Sequence, residues 1–569
     1  MTTKVRRAWG AAAIVALGAA STHAAAPVVD FLYPPGGQRG TSVSVTAGGK
    51  IDKAPTQVWT DHPGLKAQPA AAGGPFTLAI DKDTPPGPHL LRLYNAEGAS
   101  VMRVFVVGAD REAAEAEPND ELAKAQDAGA LPVTVNGRLE KGGDVDSYAV
   151  KLEAGQWLSA AVQGRRLGAP MDPMLHLHGA AGDPLAFAHD GLGLDPLLVF
   201  RAAKAGTYVV RVSAFPFPPA ADVKLAGAPA DVYRLRLSAG APARYAFPAG
   251  VRRGTKARVA LFDWAGGSSS ADADGANGTE GPVLVPAPGA DGLLALAAGD
   301  GPELTEPEAK SAAGGTGAAG AAAAAPPSAP FAVTGRLEGE GEEDAFRFAA
   351  KKGDRLAVAA RAVALGSEID PVVRVEDESG KVLAADDDGA GAPGGDARLQ
   401  WEAGADGVYR VVVADVSRRG GAGQVYRVSV AAQAAAPSAT ADAEEYRVAP
   451  GKSAAVKLSV ARPEGRPGAL VAVATGLPAG VTATSADVPD KGGELTLTLT
   501  AAADAKPASG PLRVMLLAAD KDHPGAIAAT CNLRKDNGQE LIERGESLWL
   551  TVLPPPAAEA KPADAAKAK

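Results

Sequence analysis

Apolar and polar residues alternate with a period of two in many short stretches of this chain. Ser42-Val43-Ser44-Val45-Thr46, Phe76-Thr77-Leu78-Ala79-Ile80 and Leu90-Leu91-Arg92-Leu93-Tyr94 do so, and Val101 to Val107 adds a mostly apolar run. That period places successive side chains on opposite faces of a strand. Turn residues separate the runs: Pro34-Pro35-Gly36-Gly37, Gly48-Gly49 and Thr84-Pro85-Pro86-Gly87. Residues 27–110 are therefore expected to form a small β-domain. Ala454 to Val460, Leu495 to Leu499 and Leu512 to Leu516 repeat the pattern and predict another over 443–553. Helical heptads are absent. The chain is predicted to be all-β, a multi-domain string of β-sandwiches.

Between these ends the chain repeats itself. Gly137-Arg138-Leu139-Glu140 returns as Gly335-Arg336-Leu337-Glu338, a shift of 335 − 137 = 198. Asp146, Gly155, Leu167-Gly168 and Asp172-Pro173 return at the same shift as Asp344, Gly353, Leu365-Gly366 and Asp370-Pro371. Asp190-Gly191 is answered by Asp388-Gly389, and Val232-Tyr233-Arg234 by Val425-Tyr426-Arg427 after the register slips at loops. A duplicated fold with variable connections should show this. The two copies are placed at 111–240 and 330–432. In the first, 111–125 are charged and alanine-rich and are expected to be a linker.

The order of small motifs in the first copy resembles the bacterial pre-peptidase C-terminal domain. It begins Glu115-Ala-Glu117-Pro118-Asn119-Asp120. It continues through Gly143-Asp144-Val145-Asp146-Ser147-Tyr148, Asp172-Pro173, Gly206-Thr207-Tyr208 and Val232-Tyr233-Arg234. The resemblance implies a β-sandwich of about 100 residues, found in secreted bacterial proteins and often appended to peptidases. Tyr33 to Thr41 resembles the opening of immunoglobulin-like domains of the IPT/TIG type. Phe247 to Thr255 echoes it at a shift of 247 − 33 = 214, so 241–310 is expected to be a degenerate immunoglobulin-like unit with a low-complexity insertion. Glu306-Pro307-Glu308 looks like a worn copy of Glu117-Pro118-Asn119. Residues 311–329 are almost wholly Ala, Gly, Ser and Pro, a flexible linker, and Gly476-Leu477-Pro478-Ala479-Gly480-Val481 resembles a loop of bacterial immunoglobulin-like domains. The tail 554–569 is expected to be disordered.

Composition narrows the function classes. The chain has 569 residues and a net charge of −9, with no basic stripe, which argues against nucleic acid as a partner. Its one cysteine, Cys531, can form no intramolecular disulfide. Lys4, Arg6 and Arg7 precede a short apolar run from Ala8 to Ala20, and Thr22-His23-Ala24 offers small residues to a signal peptidase. Residues 1–24 thus read as a Sec-type signal peptide, cleaved after Ala24. The run is too short for a membrane span. The expected location is secreted, at the cell surface or periplasmic.

Candidate chemistry centres on calcium. In the pre-peptidase family, acidic residues of the lead-in segment bind Ca²⁺. The matching positions here are Glu115, Glu117, Asn119 and Asp120, with Asp144 and Asp146 on the next turn. Five carboxylates and an amide oxygen suit an ion that takes six to eight oxygen ligands. Pro118 stiffens the segment, and the gathered charges repel unless a cation relieves them. The alternative is a solvated acidic linker with Asp144 and Asp146 shaping a turn. The second copy keeps Asp344 but has Glu342 for Asp144.

Other clusters read as structural. Asp386-Asp387-Asp388-Gly389 suits a hairpin turn, and Asp272, Asp274 and Asn277 only loosely resemble a calcium loop in a segment expected to be disordered. His176, His178, His189 and Asp190 could ligand zinc but fall on a face expected to meet solvent. His62 and His523 sit in Asp-His-Pro-Gly turns. No His-Glu-x-x-His helix or Gly-x-Ser-x-Gly elbow occurs. Tyr148, Tyr208, Tyr233, Phe346, Tyr409 and Tyr426 are expected in cores, and Trp59, Phe215 and Phe217 at a ligand-contacting surface. The reading is a non-enzymatic, exported binding or scaffold protein that recognises extracellular protein or polysaccharide. The alternative is an accessory or degenerate component of a secreted peptidase system, working with a separate peptidase.

Overall fold

The alternating runs pair into sheets, two to each apolar cluster. The computed structural model describes residues 25–51, 56–68, 74–219, 224–275, 283–287, 292–306, 325–365, 367, 369–389, 395–433, 437–462, 468–518, 526–533 and 538–555. The signal segment, most of the 311–329 linker and the 556–569 tail lie outside these. The chain is an all-β, multi-domain string of sandwiches. Among the described residues no helix is long and apolar enough to cross a membrane.

In the first unit a sheet ordered Val28–Tyr33, Ser42–Lys50, Phe76–Ile80, Leu65–Gln68 meets one ordered Gly36–Gln38, Arg103–Gly108, Gly87–Asn95, Gln57–Thr60. Leu32, Val45, Leu78, Leu91 and Phe105 fill the space between. Burying such side chains contributes about 1.5–3 kcal/mol each.

The next sandwich has a sheet running Arg111–Ala114, Val133–Arg138, Val232–Ala239, Trp157–Gln163, Asp195–Arg201, Gly191–Leu192. Its other sheet runs Gln126–Asp127, Asp146–Leu152, Gly206–Pro216, Met171–Gly179, Pro184–Ala188. The same order recurs further on, as Glu303–Thr305, Phe331–Arg336, Val425–Ala432, Arg355–Arg361, Ala397–Glu402 facing Asp344–Ala350, Gly407–Asp415, Pro371–Asp377, Val382–Asp386. Residues 111–125 are not a simple linker. Arg111–Ala114 pairs in parallel with Val133–Arg138 and extends the sheet, as Glu303–Thr305 does beside Phe331–Arg336. Alternation was too weak to show so short an edge strand.

Between the two copies, Lys256–Asp263 pairs with Ser268–Asp274. The segment around Asp272 is therefore a strand, although its serines and glycines had suggested disorder. A seven-pair antiparallel ladder can be held by its backbone when side-chain burial is slight. The last unit pairs Ser453–Ala461 with Gly493–Ala501 and Ala508–Ala518 with Leu548–Val552.

The unit that repeats is a pair of domains. Gly36 lies so close to Arg234 that a Cβ there would sit 1.8 Å from its Nη1, and Arg234 is held by Glu112 at 2.8 Å. At the corresponding joint Gly250 meets Arg427, whose Nε donates to Glu303 at 2.9 Å. A buried guanidinium of the following sandwich thus packs against the backbone of each preceding unit.

The last unit also returns to the first. Leu90, Met102, Val104 and Val106 join its apolar cluster. Arg92, wholly buried, donates to Glu444 at 2.5 Å, and the Glu444 carboxylate also accepts from the Met102 amide at 2.9 Å. Trp59 lies edge-on to Trp549 at 6.1 Å, so it is interface packing and not the ligand surface expected of it.

Candidate calcium site

Three short elements converge at one end of the first sandwich. The strand Arg111–Ala114 continues for one residue, because the Glu115 amide donates to the Asn136 carbonyl. The chain then turns through Glu117 and Asn119. The turn Lys141–Asp144 is closed by the Asp144 amide on the Lys141 carbonyl. Gly143 in that turn has φ +89°, which a side chain would resist. Asp146 opens the strand Asp146–Leu152.

All six expected residues meet there. Asn119, Asp144 and Asp146 are fully buried, Glu115 and Asp120 half-buried and Glu117 exposed. Oxygens of Glu115, Glu117 and Asp146 lie within 4.8 Å of one another, and so do those of Glu117, Asp120 and Asp144. Glu117 is common to both sets. One oxygen of each carboxylate is anchored: Glu115 Oε2 by the Arg138 amide at 2.8 Å, Asp144 Oδ2 by the Glu140 amide at 2.6 Å. Asp146 Oδ2 accepts from the Tyr233 hydroxyl at 2.5 Å, and Tyr233 touches the Tyr148 hydroxyl at 2.6 Å. The other oxygens, Asp144 Oδ1, Asp146 Oδ1 and Asn119 Oδ1, are buried without a hydrogen-bond partner. Three such oxygens, each costly to strand in a low dielectric, fit a hard cation.

Burial and mutual contact shift the titration of these carboxyls. Burial, then the hydrogen bond and charge of Glu115, push Asp146 up to about 10. Burial raises Glu115 as well. At the other end burial and Asp120 raise Asp144, while the Asp144 hydrogen bond and Lys141 lower Asp120. Lys141 Nζ stands 3.4 Å from Asp120 and 3.6 Å from Asp144, exposed and free to swing aside. Arg211 donates to the Asp120 carbonyl at 2.9 Å and holds the lead-in segment against the sandwich.

Sequence reasoning missed the tyrosines. Tyr148 and Tyr233 are core residues as expected, but the Tyr233 hydroxyl also holds Asp146, with the Tyr148 hydroxyl against it. The available signal was the pairing of Tyr233 with Asp146 in the first copy and Tyr426 with Asp344 in the second; Tyr426 donates to Asp344 at 2.6 Å.

In the second copy Glu306, Glu342 and Asp344 gather. Glu306 accepts from the Arg336 amide as Glu115 does from Arg138. Glu306 is therefore the counterpart of Glu115, not of Glu117; the shared Glu-Pro dipeptide had suggested the wrong register. Residues 307 to 324, which follow it, lie outside the described residues.

The remaining candidates are engaged elsewhere. Asp386 accepts from the Gly389 and Arg398 amides, both at 2.8 Å, and shapes the turn. Asp274 pairs with Lys256 at 3.2 Å, and Asn277 lies outside the described residues. The His62 ring accepts from the Gly64 amide, and His523 is outside the described residues. His176 and His178 are half-buried rather than solvent-facing, with His178 Nδ1 3.1 Å from the Gly182 carbonyl. Phe217 lies under the Arg165 guanidinium at 4.3 Å, and Phe215 is half-buried. Cys531 is buried, and burial first of all pushes its thiol up to about 12.

No family model matches the chain. A probable subtilase-type serine protease of Deinococcus radiodurans is 33% identical over 104 residues, 17% of this chain and 14% of that protein. An M60 catalytic domain with two CBM51 domains from Clostridium perfringens aligns over 72% of the chain and 55% of that structure, at 11% identity and a TM-score of 0.13. The N-terminal eight Ig domains of Down syndrome cell adhesion molecule align over 87% and 61%, at 11% identity and a TM-score of 0.12. Neither superposes on this chain closely enough to bear on its function.

Proposed function

We propose that this is an exported, non-catalytic binding and scaffold protein, with pre-peptidase C-terminal-type sandwiches joined to immunoglobulin-like units. In this reading the first sandwich holds calcium through Glu115, Glu117, Asn119, Asp120, Asp144 and Asp146. The ion orders the lead-in segment and so sets the joint between the first two domains. The carrying observation is the convergence of three buried oxygens that no amide, hydroxyl or amine hydrogen-bonds with two sets of carboxylates that share Glu117. The partner class is extracellular protein or polysaccharide. A test is co-sedimentation of the whole chain with insoluble polysaccharides and immobilised envelope protein, in calcium and in chelator. Calcium-dependent retention supports the reading. Casein hydrolysis by the pure chain, abolished by one point substitution, would overturn it.

The partial likeness to a subtilase-type protease favours a second reading, an accessory component of a secreted peptidase system. Enhancement of a separate subtilase by the chain, with no hydrolysis by the chain alone, would select it.

A further inference from the structure

A second cluster lies away from the calcium site, on the opposite edge of the five-stranded sheet of the first sandwich. Asp172, His189 and Asp190 each offer one ligand atom, and the three lie within 4.8 Å of one another. We propose that they form a site for a zinc-class divalent cation, independent of the calcium reading.

The backbone sets this juxtaposition. Asp172 sits on Met171–Gly179, where it pairs with Phe215. The neighbouring edge strand ends at Ala188, opposite Leu175. His189 and Asp190 follow immediately and are carried back toward Asp172. The turn is then fixed by Gly191, whose φ is +146° and whose added Cβ would press on Leu197 at 3.0 Å. Phe187 stacks on the His189 ring at 6.5 Å and lies tilted against His176 at 4.7 Å, which limits where the imidazole can turn.

The atoms are spaced as ligands. His189 Nε2 lies 3.3 Å from Asp172 Oδ2. Two ligands of a tetrahedral zinc, each about 2.0–2.1 Å from the metal, stand about 3.3 Å apart. The contact is not aligned as a hydrogen bond, and both His189 Nε2 and Asp172 Oδ1 are buried atoms without a hydrogen-bond partner. Among the described residues no lysine or arginine pairs with Asp172 or Asp190. Two uncompensated carboxylates and one imidazole nitrogen suit zinc better than calcium, which takes oxygen. The side chains of His189 and Asp172 are 36% and 20% exposed, so the remaining coordination positions face water.

The second copy is an internal comparison. Its counterparts are Asp370, Asp387 and Asp388, in which the nitrogen ligand is replaced by a third carboxylate. Zinc is therefore assigned to the first copy alone.

The test is calorimetric titration of the whole chain with Zn²⁺ in saturating Ca²⁺, which keeps the lead-in carboxylates occupied. One zinc per chain is expected. His189→Ala should abolish it, Asp172→Asn should weaken it at least roughly tenfold, and His62→Ala should leave it intact. Circular dichroism of each variant checks that it folds. Replacing zinc by Co²⁺ should give visible absorption bands that His189→Ala removes. Absence of binding up to about 1 mM Zn²⁺, or binding that survives His189→Ala, would overturn the proposal.

Discussion

Calcium binding at the lead-in segment should release protons. Burial and the Glu115 contact raise Asp146 to about 10, so the Glu115–Asp146 pair retains a proton at neutral pH. An ion ligated by Asp146 Oδ1 must displace that proton. About one proton per ion is expected, so affinity should rise about tenfold per pH unit, or about 1.4 kcal/mol, between pH 6 and 9. Calorimetry at pH 7.5 in HEPES and in Tris measures it, because the difference in apparent enthalpy scales with the protons the buffer absorbs. The same protons govern stability in chelator. A carboxyl whose folded-state pKa is raised stabilises fully only below its unfolded value near 4, and that contribution falls as pH climbs toward about 10. The melting shift produced by calcium should therefore widen as pH rises, reaching about 2.7 kcal/mol at a hundredfold excess over Kd. Asp146→Asn should weaken binding and remove most of the proton release. Heats that do not depend on the buffer, or an Asp146→Asn variant indistinguishable from the parent, would refute the reasoning.

Three further outcomes can be checked. Glu444→Gln strips the buried Arg92 of its counter-charge and should cost about 3–5 kcal/mol, seen calorimetrically as early melting of the first and last units; pairing it with Arg92→Met should recover much of the loss. His89 places Nδ1 3.2 Å from Asp61 and Nε2 2.8 Å from the Pro85 carbonyl, so both nitrogens face acceptors. Burial opposes its charge, but Asp61 and Pro85 outweigh burial and raise its pKa; its stabilisation should be complete below about pH 6.5 and fade as pH rises beyond the folded value, with a flatter profile in His89→Gln. Native protein at pH 8 should leave Cys531 unlabelled by a thiol reagent, and labelling should begin only when the last unit opens; rapid native labelling would contradict its burial.

Much of the fold was legible because strand alternation and turn residues are local. The repeat shift located the second sandwich, and all six lead-in residues proved to be neighbours. What failed did so for a shared reason. The edge strand Arg111–Ala114, the Ser268–Asp274 strand and the register of Glu306 depend on partners distant in sequence, and no local pattern names a partner.

The sequence by itself determined the class of secondary structure, the internal repeat and the set of oxygen-bearing residues proposed to hold calcium. Each is written in residue type and spacing along the chain. Only the tertiary structure decided which oxygens are left without donors, that the Tyr233 hydroxyl holds Asp146, and that Asp172 faces His189. It also decided that Arg92 buries its charge against Glu444, 352 positions away. These depend on register and on domain contacts, where a charge is tolerated only because its partner arrives from another part of the chain.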